Sequence, residues 1–215
     1  GSEMAANPSV PLLEQAKFRA ICSENLDEFF HGRVAGLKDQ VAAGLGTLTP
    51  DGRSPAGQLL DVRDRVEGLF NRQARIFLDQ VVPALSEVGI KFSSWDQLDD
   101  DDRKYLDDVF EQRIFPVLTP LAVDPGHPFP YISDLSLNLA VVILDPVEDV
   151  RRFARVKVPL LLPRFVVMPD GERFVPLEQV IARHLQSLFP GLDIESHHPF
   201  RVTRNADLTL EEEEA

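Results

Sequence analysis

At Gly89 the spacing of apolar residues changes from one period to another, and this constrains the fold most. Before it, apolar side chains recur at helical spacing twice. The first series runs from about Leu12 to Val41 through Leu26, Phe29, Phe30, Val34 and Leu37. The second runs from Ser54 to about Val88 through Leu59, Val62, Val66, Leu69, Phe70, Phe77, Leu78, Val81 and Leu85. GLGTLTPDGRSPAG at 44–57 separates them with turn chemistry at Pro50-Asp51-Gly52. Ser54-Pro55 reads as an N-cap and first helical residue, Pro83 is expected to kink the last turn, and Gly89 to stop it. The spacing predicts a helical hairpin over residues 1–89.

Beyond Gly89 short alternating runs take over. IKFSS at 90–94, LSLNLAVVIL at 135–144, RRFARVKV at 151–158, a hairpin over 164–176 and PFRVTRNADLTL at 199–210 read as strands. Two helices interrupt them: one after the aspartate run at 99–102, carrying Tyr105, Leu106, Val109, Phe110 and Ile114 and limited by Pro116, and one at 177–189. Prolines at 116, 120, 125, 128 and 130 make the segment between an irregular connection. Strands and helices without regular βαβ alternation predict an α+β fold, with residues 90–215 as the second domain.

Composition narrows the function classes. Lys and Arg total 22 against 35 Asp and Glu, a formal charge of −13. So acidic a chain is not expected to bind nucleic acid or anionic membranes non-specifically. The acidic runs at 99–102 and 211–214 read as solvated faces or tails. Cys22 is the sole cysteine, which excludes an internal disulfide and suits a cytoplasmic location. The amino terminus lacks a signal-peptide pattern, and the apolar run 137–144 is too short to span a bilayer, so no membrane insertion is expected. The chain stops at TLEEEEA where an acidic helix could begin, as a fragment would.

No phosphate-cradling glycine motif, metalloprotease motif or nucleophile elbow occurs. His197 and His198 are adjacent on a strand and point to opposite faces, so no metal site is expected, although a metal-dependent hydrolase built on either is a third reading. His127 and His184 have no visible partner set. Arg151, Arg155 and Lys157 share one strand face with Phe153, where they could meet an anion or pair with surplus carboxylates. Asn25-Leu26-Asp27-Glu28 has the form of a capping box restarting a helix, with Asp27 in its first turn. The Asn25 carboxamide could equally read a base edge.

These residues carry a resemblance. SENLDEFFHGRVAGLKDQV at 23–41 resembles a signature of the polyphosphate kinase family, and so do PLLEQAKF, FPVLTPLAVDPGHPFPYISDLSLNLAV, FARVKVP, RFVPLEQVI, LFPGL and HHPFRVTRNADL, in the family's order. The resemblance implies a helical amino-terminal domain and a head domain of an enzyme that moves the ATP terminal phosphate reversibly to polyphosphate through a phosphohistidine. The catalytic histidines and the Mg²⁺-binding residues would lie in carboxy-terminal domains beyond this chain. By the same resemblance Asn25 contributes to the nucleotide site, Asp27, Glu28 and Arg33 support it, and the head serves self-association into a homo-oligomer. ATP and polyphosphate are then the substrates of the longer enzyme, and this chain alone is expected to hold no ATP or Mg²⁺ tightly and to be inactive. One departure is His31-Gly32, where the family carries an apolar pair. The alternative is a stand-alone interaction module without catalysis.

Overall fold

The computed structural model describes residues 11–204, apart from 47, 124, 125, 127 and 128. His127, the strand expected beyond Arg204 and the acidic run at 211–214 lie outside the described residues.

One compact unit comprises the described residues up to Val88 together with Thr203 and Arg204, and a second comprises Gly89–Val202. In the first, α1 (Leu12–Phe29) continues through a wider π turn, Phe30–Val34, into α2 (Ala35–Ala42). The return limb is α3 (Pro55–Ile76), a second π turn at Phe77–Val81, and α4 (Val82–Glu87). Ser54 caps α3 as its sequence predicts: the Oγ accepts from the Gly57 amide at 3.1 Å, with Pro55 next. Gly89 follows α4 at φ +84°, the left-handed conformation that ends a helix cheaply only for glycine. Val34, Leu37, Val66, Val81 and Leu85 form the buried stripe. Phe70, Phe77 and Leu78, expected inside, are exposed, because two helices cover only one face of each other.

The anticipated kink at Pro83 takes a specific form. Proline lacks the N–H that would bond to the carbonyl four residues back, and its ring clashes with that carbonyl. That residue, Asp79, lies in the Phe77–Val81 π turn, where the wider winding moves the carbonyl aside. The same arrangement recurs before Pro116, with Gln112 inside the π turn Phe110–Ile114. No proline follows Phe30–Val34 at that spacing.

The second unit is α+β. Strand β1 (Lys91–Phe92) pairs in parallel with β6 (Arg173–Pro176), which pairs antiparallel with β5 (Phe165–Val167). A four-stranded antiparallel sheet has the order β2 (Leu121–Ala122), β4 (Val150–Lys157), β3 (Leu137–Asp145), β7 (Asp193–Arg201). Helix α5 (Asp100–Val109) and the turns after it, with α6 (Leu177–Arg183) and α7 (Leu185–Leu188), cover the apolar side. Leu106, Phe110, Ile114, Leu139, Val141, Val156, Val175 and Ile181 form its core. Strand β7 begins at Asp193 rather than 199, since Ser196, His197 and His198 pair with β3 around an irregularity at Val142/Ile143. The helix read over 177–189 breaks at His184, whose Nδ1 lies 2.8 Å from the Val180 carbonyl and whose Nε2 lies 2.9 Å from Asp107 Oδ1.

Candidate functional site

Asn25 does not restart a helix. It lies well inside α1, whose N-terminal boundary is Pro11, so the capping box over Asn25–Glu28 does not form. A capping side chain needs a non-helical residue with free amides after it. Here the amides of Asp27 and Glu28 belong to a continuous helix.

Removing the capping role frees the carboxamide. Asn25 is exposed and makes no side-chain hydrogen bond among the described residues. At 100° per residue it stands opposite Ala16, Ala20 and Ser23, which face α3. It shares its outward stripe with Ile21 and Phe29, four residues either side, which are 40% and 38% exposed. The carboxamide therefore stands between an aliphatic and an aromatic side chain on open surface. The Phe29 ring meets Phe30 edge-on with centroids 6.2 Å apart, which fixes its tilt. Two grooves of about 440 Å³ along the hairpin are lined by other residues, and Asn25 lines neither.

The other motif residues divide by face. Asp27 is half-buried on the side toward α3, whereas Glu28 is exposed. Arg33 Nη2 donates to Gln58 Oε1 on α3 at 3.1 Å, tying the π turn to the facing helix. His31 and Gly32 both lie inside that π turn, with Gly32 on open surface. Wider turns of this kind recur at functional sites. Proline accounts for the other two but not for this one. The stripe Ile21–Asn25–Phe29 was legible as i, i+4, i+8 spacing, yet its outward direction depends on which face α3 takes.

In the second unit, His197 and His198 stand opposite Val141 and Ala140 and therefore point to opposite sides of the sheet. Among the described residues no group of three or more His, Cys, Asp or Glu could hold a metal ion, and no helix is long and apolar enough to cross a membrane. Much of the arginine excess meets acid: Arg151 Nε lies 2.7 Å from Glu195, Arg164 Nη2 2.7 Å from Glu178, and Arg173 pairs with Asp102 and Asp170.

Comparison with known proteins places the chain. Residues 3–93 match the family model for the polyphosphate kinase N-terminal domain, and residues 101–215 that for the polyphosphate kinase middle domain. A polyphosphate kinase of Streptomyces coelicolor is 54% identical over 99% of this chain, which spans 28% of that protein. One from Mycolicibacterium gilvum is 51% identical over 98% of the chain, which spans 30% of it. The crystal structure of polyphosphate kinase from Porphyromonas gingivalis superimposes with a TM-score of 0.81 at 30% identity, covering 97% of this chain and 31% of that one.

Proposed function

Because this chain belongs to the polyphosphate kinase family, as its amino-terminal and middle domains, we propose that it supplies one wall of the ATP site of a longer phosphotransferase. The observation that carries this reading is Asn25, an exposed carboxamide without a hydrogen-bond partner among the described residues, set between Ile21 and Phe29 on α1. A carboxamide offers one acceptor and two donors and so matches the paired donor and acceptor of an adenine edge. The flanking apolar side chains would lie against the ring and exclude water from those bonds. Asp27 and the Arg33–Gln58 bond act as supports, holding α1 and its wider turn against α3. Phosphoryl transfer through a phosphohistidine, and the Mg²⁺ that accompanies ATP, belong on this reading to parts of the enzyme outside these residues.

The test is Asn25→Ala in the full-length enzyme. Loss of two hydrogen bonds to the base is expected to raise KM for ATP about tenfold, with a smaller change in kcat. An unchanged KM would overturn the assignment. The 215-residue chain alone is expected to make no polyphosphate from ATP, and measurable synthesis would overturn that part.

For the middle unit we infer a role in self-association. Leu160 and Leu161, each 84% exposed between Pro159 and Pro163, support it, because such side chains gain most by burial. Light scattering of Leu160→Ser/Leu161→Ser against the parent chain is expected to show a shift toward monomer, and an unchanged mass would count against it.

A further inference from the structure

We propose that the four-stranded sheet carries, on the side away from the core, a phosphate-binding site built on Arg155, with Lys157 and His198 beside it. Arg155 is 7% exposed, and its Nε is enclosed without a hydrogen-bond partner among the described residues. Among the described residues its guanidinium meets no carboxylate, whereas Arg151, Arg152, Arg164 and Arg173 each hold one. An arginine cannot shed its proton to escape burial, so an unpaired one nine-tenths buried is costly unless an anion completes it.

The strand register assembles what an anion needs. Arg155 stands opposite Ala140, and Ala140 opposite His198, so these three share one face. The small Ala140 side chain stands between the two longer ones, whose strands lie about 10 Å apart across β3. Lys157, two residues along β4, faces the same way, and its Nζ is steadied by Ser133 Oγ at 3.1 Å. The rows from Phe153–Val142–Ser196 to Lys157–Asn138–Phe200 hold no acidic residue, in a chain of net charge −13.

Asn138 narrows the ligand class. It is wholly buried, diagonal to Arg155, and its Nδ2 donates to Ser136. Its Oδ1 is enclosed with no hydrogen-bond partner among the described residues. An orphan acceptor beside an orphan cation suits a ligand that carries both O⁻ and O–H near neutrality. Hydrogen phosphate and the terminal group of a phosphate chain do so, whereas sulfate has no proton to give. The polyphosphate source rests on the function proposed above; the site itself does not.

The experiment is a calorimetric titration of the 215-residue chain with inorganic phosphate, tripolyphosphate and sulfate at matched ionic strength. Phosphate is expected to bind at least about threefold tighter than sulfate, and Arg155→Gln to weaken it at least about tenfold. Arg151→Gln, whose guanidinium Glu195 already occupies, is expected to leave affinity within about twofold. Should Arg155→Gln lose its folded circular dichroism, Lys157→Gln reads the same site with an expected loss of about threefold. Tighter binding of tripolyphosphate assigns the site to a chain end, and tighter binding of inorganic phosphate to the free ion. No phosphate binding by the folded chain, sulfate binding as tightly, or an equal loss in Arg151→Gln would overturn the proposal. Failure of the Asn25 test leaves this one intact, and the reverse holds too.

Discussion

Asp102 closes a run of four aspartates that reads as solvated charge, yet it is buried. Asp99 caps α5, accepting from the Asp102 amide at 2.8 Å, and this turns the Asp102 side chain inward. There it takes a two-pronged pair from Arg173, with Nη2 2.7 Å from Oδ1, while Arg173 Nε also holds Asp170. The Arg173 hydrogen bonds hold Asp102 below the usual carboxylate range. Asp170, bonded to Arg173 and to the amides of Arg173 and Glu172, falls to about 2. Both folded values lie below the unfolded value of about 3.9, so their contribution is complete above that pH. It is lost as pH falls toward 2, and acid unfolding of Asp102→Asn is expected to be less steep there than in the parent. At pH 7 Asp102→Ala is expected to cost about 2 kcal/mol by urea denaturation, because it leaves Arg173 with one acid and an emptied site. The run was legible as a helix start. The pair was not, since its members lie 71 residues apart and only the fold brings them together.

At the scale of elements, local rules were legible where they needed no third dimension. Ser54-Pro55 starts α3, Gly89 ends α4, and Gly171 at φ +74° turns the β5–β6 hairpin, all from side-chain chemistry at the position itself. Removing the Ser54 hydroxyl by Ser54→Ala is expected to cost about 1 kcal/mol of helical-unit stability, read from thermal denaturation. Asn25–Glu28 fits the same rules and misleads, because the capping pattern is only favourable where a helix actually begins. Residues on either side of it favour helix strongly enough to run straight through. The candidate site was half legible in consequence: the Asn25 motif stood out, while its outward direction and the buried state of Arg155 depend on packing. Gly32 offers a test of the wider turn. A methyl there would meet open space, and glycine inside a helix costs about 1 kcal/mol relative to alanine. Gly32→Ala is therefore expected to raise the midpoint if the turn is set by the Arg33–Gln58 tie and the facing helix. A lowered midpoint would mean that the turn depends on glycine itself.

Across the whole chain the two units differ in how much apolar surface they enclose. The helical unit buries Val34, Leu37, Val66, Val81 and Leu85 and leaves Leu60, Phe70, Phe77 and Leu78 exposed. Residues 89–202 enclose a far larger cluster, from Leu98 through Phe189, between sheet and helices. Since burial of apolar area is the main stabilising term, the first unit is expected to melt at lower temperature, giving two calorimetric transitions. Substitutions assign them. Leu106→Ala empties a fully buried site and is expected to lower the upper transition by about 10 °C while the lower one stays in place. Val66→Ala is expected to lower only the first. A single transition that both substitutions move together would show that the units unfold as one, and that the exposed stripe of the hairpin is stabilised by more than its own helices.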